Sequence, residues 1–472
     1  MANNQEQFGS RLGFVLAAAG SAVGIGNLVG FPVAAAKNGG GAFLFMYAIF
    51  VVMICLPVML AELSVGRQSA KDPLGAYSKL SGGSLLWRAA GWLSVVTPYM
   101  IAVFYMVITI WICGYLIETL MGNLDKLANP DQFGSFINGN SVFVYFVVVA
   151  ALVNLILVSG VQDGIERAAK IMMPALFVML IALVIFVLTL DNAWAGVTYY
   201  LVPDFAKIDA KVVSGALSQA FFSLSLGMGI MITYGSYMDR KESIGGSARF
   251  VAFTDTAVAF AAGLMILPAI FSFNPDIDPA TLSESSISLI FTFLPQIFLA
   301  MQDGFGYFGA SLVASMFFLL VFFAAITSLV SITEVPVSSL VREKGYSRPK
   351  ALLVLGVTMA VLSIACIVSF GRVDLLTSLT SYAGSSKSIF DIIYDVFYDT
   401  ILPLNGLLVC LFVIYRWRAG FDAEMEHGDP QFKGSILERY VNFSLGSFIP
   451  LVLFLVFINT VALKFFGFAL LG

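Results

Sequence analysis

Charge is scarce in this sequence: 25 Lys and Arg and 29 Asp and Glu among 472 residues. That is 11% charged against 59% hydrophobic, with a mean hydropathy of +0.92. A soluble domain carries about 25% charged residues, so a water-facing surface is excluded. Histidine is nearly missing. The single one, His427, falls in a polar stretch, which rules out histidine metal clusters and Ser-His-Asp chemistry. Only four cysteines occur, Cys55, Cys113, Cys366 and Cys410, all inside apolar runs and without paired spacing. They read as small apolar fillers rather than a disulfide or metal site. No basic patch interleaved with aromatics points to nucleic acid, and no nucleophile–base pair at membrane depth points to an enzyme.

Long apolar runs fill the rest. Each covers a hydrocarbon core of about 30 Å, and helices are the form that satisfies the backbone there; the alternation of barrel strands is absent. The expected fold is an all-α integral membrane protein with eleven spans. They lie at about 11–36, 41–66, 88–121, 141–159, 167–190, 212–238, 248–273, 306–340, 349–369, 391–417 and 440–468. Residues 1–472 form one transporter domain: a first five-helix repeat at 11–190, a second at 212–417, and an additional C-terminal helix at 440–468. The short polar start, Met1 to Ser10, has no cleavable signal before the first span. Of the Lys and Arg, only Lys37, Lys126, Lys207, Lys211, Arg372, Lys387 and Lys464 fall opposite the N-terminal side. The positive-inside rule then places the N-terminus in the cytoplasm and the C-terminus outside, in a bacterial inner membrane. The stretch from Asn274 to Asp303, with acids and no base, fits an external loop.

Two spans are interrupted. The first reads Gly20-Ser21-Ala22-Val23-Gly24-Ile25-Gly26-Asn27, the sixth Ser223-Leu224-Ser225-Leu226-Gly227-Met228-Gly229. Packing glycines usually recur every four residues on one face; these alternate and sit beside Ser and Asn. Breaks at matching places in two five-span halves point to a transport site in an inverted repeat. Unwinding frees carbonyl oxygens for a hard cation, and the following half-helix offers its N-terminus to an anion. The polar side chains available at that depth are Ser21, Asn27, Glu62, Tyr105, Gln219, Ser223, Ser225, Asp255, Thr327 and Ser328. Asp255, in Phe253-Thr254-Asp255-Thr256-Ala257, is an intramembrane carboxylate and a functional candidate on that ground. Glu62 fits either a functional role or a brace for the unwound segments. Thr327 and Ser328 alone say little, since such hydroxyls often bond back to their own helix.

Several stretches together resemble the neurotransmitter:sodium symporter family, in its bacterial amino-acid branch, over nearly the whole chain. They are Arg11-Leu12-Gly13 through Gly24-Ile25-Gly26-Asn27, Phe31-Pro32, Asn38-Gly39-Gly40-Gly41-Ala42-Phe43, Gly164-Ile165-Glu166-Arg167 and Phe322-Phe323-Ala324-Ala325-Ile326-Thr327-Ser328. The resemblance implies sodium-coupled symport of a neutral amino acid, with two Na+ sites. The first would use the Ala22 carbonyl with Asn27, Ser223 and Asp255. The second would use the carbonyls of Gly20, Val23 and Ala324 with the hydroxyls of Thr327 and Ser328. Substrate would lie among Ser21, Ala22, Ile25, Gly26, Ile101, Tyr105, Phe222, Ser223, Ser225, Met228, Ser328 and Ile332. Amides near Gly26 and the Tyr105 hydroxyl suit a carboxylate; the Phe222 and Ser225 carbonyls suit an ammonium. The apolar remainder suits a neutral, fairly bulky side chain, because a charged one would go unpaired. Chloride-dependent family members carry a neutral residue in the region of Asp255, so chloride-independent transport is expected.

The chain departs from the family pattern at its gates. Gly30 stands where many members have an Arg that closes against an acid at the position of Asp391. Gln5 stands where an Arg is usual, and Arg342 where an acid is usual. Closure is expected either from Tyr105 with Phe222 outside and Phe8 inside, or from rearranged charges such as Asp391, Asp395 and Asp399. Spaced four apart, those aspartates also fit a solvated helix face. A proton-coupled or broader amine or osmolyte carrier is the alternative within transport, with Asp255 titrating; a channel or receptor is the alternative outside it. The oligomeric state is open.

Overall fold

The computed structural model describes residues 6–273, 287 and 289–470. Among them, nine helices are long and apolar enough to cross a bilayer: Gly41–Ser69, Leu85–Leu120, Ser141–Val158, Val161–Leu188, Ile244–Phe273, Gln302–Lys344, Arg348–Val368, Ile389–Arg416 and Ile436–Phe466. The first span adds a tenth as a bent pair, Arg11–Ala22 and Gly26–Lys37, whose axes turn by 53°. The sixth is the remaining expected span. It is cut into Ala210–Ser223 and Ile230–Gly235, so neither half crosses alone. The eleven-span expectation therefore stands, with the first and sixth broken.

Burial sorts the spans into layers. The most apolar stretch of the third span is 83% buried and that of the eighth 72%, against 28% for the fourth, fifth and eleventh. The third and eighth form the core around the broken helices. The outer spans turn Val144, Val147, Ile171, Val178, Ile181 and Ile185 outward. Exposed aliphatic side chains in such rows face lipid, where they cost nothing. At the N-terminal side, Arg67 at the end of the second span is fully buried. Its Nε meets Glu424 Oε1 at 2.5 Å, and its Nη2 donates to the Glu424 carbonyl at 2.7 Å. Glu424 lies on Arg418–Gly428, a helix between the tenth and eleventh spans, so this pair clamps two distant parts of the chain.

Three details differ from the sequence reading. The eighth helix runs over Gln302–Lys344, longer than the expected 306–340, with a kink at Gly306 where φ is 70°. The stretch expected as an external loop contains an apolar helix, Leu289–Ala300, whose Phe291, Leu294 and Ile297 are buried; residues 274–286 and 288 lie outside the described ones. The all-α fold carries one addition the sequence did not suggest: Thr380–Tyr382 (β1) and Ser385–Lys387 (β2) form a small antiparallel hairpin before the tenth span.

Candidate transport site at the broken helices

Helix Arg11–Ala22 starts on Ser10, whose Oγ accepts the Gly13 N–H at 3.0 Å, and stops at Val23, where the backbone turns extended (φ −71°, ψ 99°). A helix end leaves its last carbonyls without intrahelical donors, so the stop at Val23 turns carbonyls of this turn toward the protein centre. Two hydroxyls reach them. Ser225 Oγ donates to the Ser21 carbonyl at 2.9 Å, and Ser328 Oγ approaches the carbonyls of Ser21 at 3.2 Å and Val23 at 3.4 Å. Gly24 has no room for a side chain: a Cβ would lie 2.9 Å from both Ser328 Oγ and Tyr105 Oη. The Ile25 amide donates to the Tyr105 hydroxyl at 3.4 Å, and Gln219 Nε2 donates to the Gly26 carbonyl at 3.0 Å.

The sixth span breaks because its residues hold left-handed backbone. Ser225 (φ 54°), Gly227 (φ 75°) and Gly229 (φ 67°) all have positive φ. Glycine carries this without the Cβ penalty, and space demands it too: a Cβ on Gly227 would sit 2.6 Å from the Leu402 carbonyl, and one on Gly229 2.6 Å from the Ser94 carbonyl. Glu62 Oε1 accepts the Gly227 amide at 2.7 Å. That contact places Glu62 as a brace for the break, the second of the two readings its sequence position allowed. The Phe222 carbonyl accepts the Ser225 amide at 3.2 Å.

A polar knot joins the two breaks to the seventh span. Asn27 Nδ2 donates to Asp255 Oδ1 at 2.7 Å and lies 2.8 Å from Ser223 Oγ; Ser223 Oγ donates to Asp255 Oδ2 at 2.8 Å. Asn27 Oδ1 accepts the Gly24 amide at 3.1 Å, which closes the turn over the first break. Tyr47 completes the knot, its hydroxyl 3.2 Å from both Ser223 Oγ and Asp255 Oδ2. Asn27, Tyr47 and Asp255 are fully buried. Nothing in the run around Tyr47 marked it, because a tyrosine in an apolar span reads as core.

On the eighth span, Thr327 Oγ1 bonds back to the carbonyls of Phe323 at 3.0 Å and Ala324 at 3.1 Å. The same helix faces Gly20, where a Cβ would lie 3.4 Å from Thr327 Cβ. From the eighth span the Ser328 hydroxyl is the oxygen seen to reach the first break. Ser21 Oγ is buried with no hydrogen-bond partner among the described residues. Hard oxygen donors of this kind suit an alkali cation rather than a soft metal.

Contacts gather most of the expected site residues. Ile101, one turn before Tyr105, Ile332, one turn after Ser328, and Met228, inside the second break, are buried apolar residues. Gly26 is exposed and Ala22 buried at the first break. Phe222 stacks on Tyr398 of the tenth span, centroids 4.9 Å apart, a partner the sequence did not suggest.

The gates differ from the family pattern. Gln5 lies outside the described residues. Phe8 is buried edge-on against Phe14, Tyr234 and Tyr237. Arg342 Nη1 donates to Ser236 Oγ at 2.7 Å, and its guanidinium lies over the Tyr237 ring. The solvated-face reading is corrected for Asp395 and Asp399. Asp391 closes a capping box with Ser388, Asp395 is buried, and Asp399 holds Lys464 Nζ at 2.6 Å. The eleventh span and the β hairpin cover Asp395 and Asp399.

Comparison with known proteins agrees with this arrangement. The sodium:neurotransmitter symporter family model matches residues 5–130 and 135–461. The uncharacterized sodium-dependent transporter YhdH of Bacillus subtilis is 34% identical over 468 residues, 98% of each chain. The sodium- and chloride-dependent taurine transporter of Bos taurus is 27% identical over 340 residues, 62% of this chain and 54% of that one. The crystal structure of MhsT in complex with L-phenylalanine superposes with a TM-score of 0.81 at 36% identity, covering 96% of this chain and 99% of that one. With its broken first and sixth spans and its oxygen-lined centre, this chain belongs to the sodium:neurotransmitter symporter family and is a multi-pass, sodium-dependent membrane symporter, not an enzyme.

Proposed function

We propose that the protein imports a neutral amino acid with a hydrophobic or aromatic side chain, driven by two sodium ions and without chloride. The observation that carries this reading is the buried Asp255 carboxylate, held by Asn27, Ser223 and Tyr47 where both breaks meet the seventh span. Bringing sodium into a low-dielectric centre costs heavily unless negative charge accompanies it. Asp255 supplies that charge permanently, where the taurine relative is described as needing chloride.

One sodium is assigned to the Ala22 carbonyl, Asn27, Ser223 and Asp255. The other is assigned to the carbonyls of Gly20, Val23 and Ala324 with Thr327 and Ser328. The amino acid lies between them: its carboxylate against the Gly26 amide region and the Tyr105 hydroxyl, its ammonium against the Phe222 and Ser225 carbonyls. Its side chain lies against Ile25, Ile101, Phe222, Met228 and Ile332, with Ser21 and Ser328 bordering. MhsT, similar over nearly the whole chain, is complexed with L-phenylalanine, which supports an aromatic or bulky apolar substrate. Rocking of the repeats 11–190 and 212–417 against each other exposes the site to either side in turn; the helix at 440–468 stands outside that pair. The N-terminus is assigned to the cytoplasm of a bacterial cell and the C-terminus to the outside.

The experiment is a proteoliposome screen of the twenty amino acids with and without an imposed sodium gradient. Saturable uptake of apolar or aromatic amino acids only under the gradient is expected. Equal uptake driven by a proton gradient in sodium-free medium would replace this reading with the proton-coupled one.

A further inference from the structure

The eleventh span lies mostly against lipid, yet one of its charges does not. A lysine near the end of a lipid-facing helix ordinarily snorkels to the headgroups. Lys464 turns inward instead. Its Nζ reaches Asp399 Oδ2 at 2.6 Å and Asp395 Oδ1 at 3.0 Å, both on the tenth span. Asp395 is 4% exposed and also meets Lys387 Nζ at 3.3 Å and the Tyr382 hydroxyl at 2.9 Å, both from the β hairpin. The two acids sit four residues apart on one helical segment, where like charges repel. Without a cation they would be buried charges uncompensated, which is strongly unfavourable.

The segment they hold is well placed. Tyr394–Ile401 is π-helical, like six other segments among the described residues, and its helix carries both acids and Tyr398 on one short stretch. Between the two acids lies Tyr398, stacked on Phe222 at 4.9 Å and 26° and edge-on to Phe104 at 5.8 Å. Phe222 is the aromatic that bounds the substrate region. Gly30 brings no charge and faces Gln219 of the sixth span: a Cβ there would lie 3.8 Å from Gln219 Oε1.

We propose that Lys464 is a positioning residue of the outer gate. By neutralising Asp399 and sharing Asp395 with Lys387 it sets the π-helical segment so that Tyr398 closes on Phe222, and the helix outside the repeat pair thereby supplies a charge that Gly30 does not provide. The inference rests on the transport reading above.

The test uses a Gly30→Cys reporter in the full-length protein, where the native Cys55, Cys113, Cys366 and Cys410 are all buried. A membrane-impermeant maleimide is applied with and without sodium plus the best transported amino acid. In the parent, labelling falls when both are present. With Lys464→Gln that protection is largely lost and the substrate KM rises roughly threefold or more, the scale of a partly buried ion pair, while Lys464→Arg restores both. Asp399→Asn removes the same contact from the other side and gives the same loss, should Lys464→Gln fail to accumulate. Full protection and an unchanged KM in Lys464→Gln or Asp399→Asn, beside a responding parent, overturn the inference alone. A parent that never responds to sodium and substrate contradicts the transport reading, and this inference with it.

Discussion

Asn27 and Asp255, 228 positions apart in sequence, meet at 2.7 Å, the Asn27 carboxamide donating to the Asp255 carboxylate. The same Asn27 accepts the Gly24 amide through its Oδ1. One side chain therefore both shapes the break in the first span and delivers the carboxylate of the seventh to it. A buried charge held by three hydrogen-bond donors is tolerable.

Sodium use is expected to depend on the eighth span. Removing both hydroxyls in Thr327→Ala/Ser328→Ala takes two oxygens from the second assigned site, so the sodium concentration for half-maximal uptake should rise strongly. Potassium should not substitute. The check is uptake against external sodium at fixed amino acid, and undiminished uptake in sodium-free medium would contradict the assignment.

Tyr105 touches the Ile25 amide and adjoins Gly24, so its hydroxyl is placed where a substrate carboxylate would lie. Tyr105→Phe should weaken binding by about 1–3 kcal/mol, the cost of an unmet desolvated oxygen. Binding of the preferred amino acid to purified protein measures this. A matching amine that lacks the carboxylate, if transported equally well, defeats the assignment.

Met228 sits buried inside the second break. Met228→Ala should enlarge the side-chain pocket and shift preference towards larger apolar amino acids. Competition of aromatic against small aliphatic substrates reads the shift, and an unaltered order of preference would remove Met228 from the pocket.

Glu424→Ala would leave the buried Arg67 with backbone carbonyls but no carboxylate, a loss of up to about 3–5 kcal/mol for a broken buried pair. A lower midpoint of thermal unfolding in detergent should follow, with substrate preference unchanged in the surviving fraction. A midpoint equal to wild type would show that water reaches Arg67.

Much of this was legible in the sequence, for identifiable reasons. The breaks were, because Gly227 and Gly229 alternate where a helix gains nothing from them, and both prove to need positive φ and close backbone approach. Asp255 was, because a carboxylate in an apolar span has few uses. Tyr47, Tyr398 and Lys464 were not, since each matters through a partner far away in the chain. A tyrosine hydroxyl seeking Asp255, a ring stacking on Phe222 and a lysine turning inward leave no local pattern. Asp395 misled for the same reason: its four-residue spacing fits a wet helix face equally well, and only the covering hairpin and last span decide against it. The helix Leu289–Ala300 hid in a stretch whose charge balance suggested an external loop.

The most direct test of the account is sodium-driven uptake by wild type and Asp255→Ser, with chloride replaced by gluconate. If Asp255 supplies the negative charge that accompanies sodium, wild type works equally well in gluconate, while Asp255→Ser fails there and regains some uptake when chloride is restored. A wild-type protein that stops transporting without chloride would contradict the account.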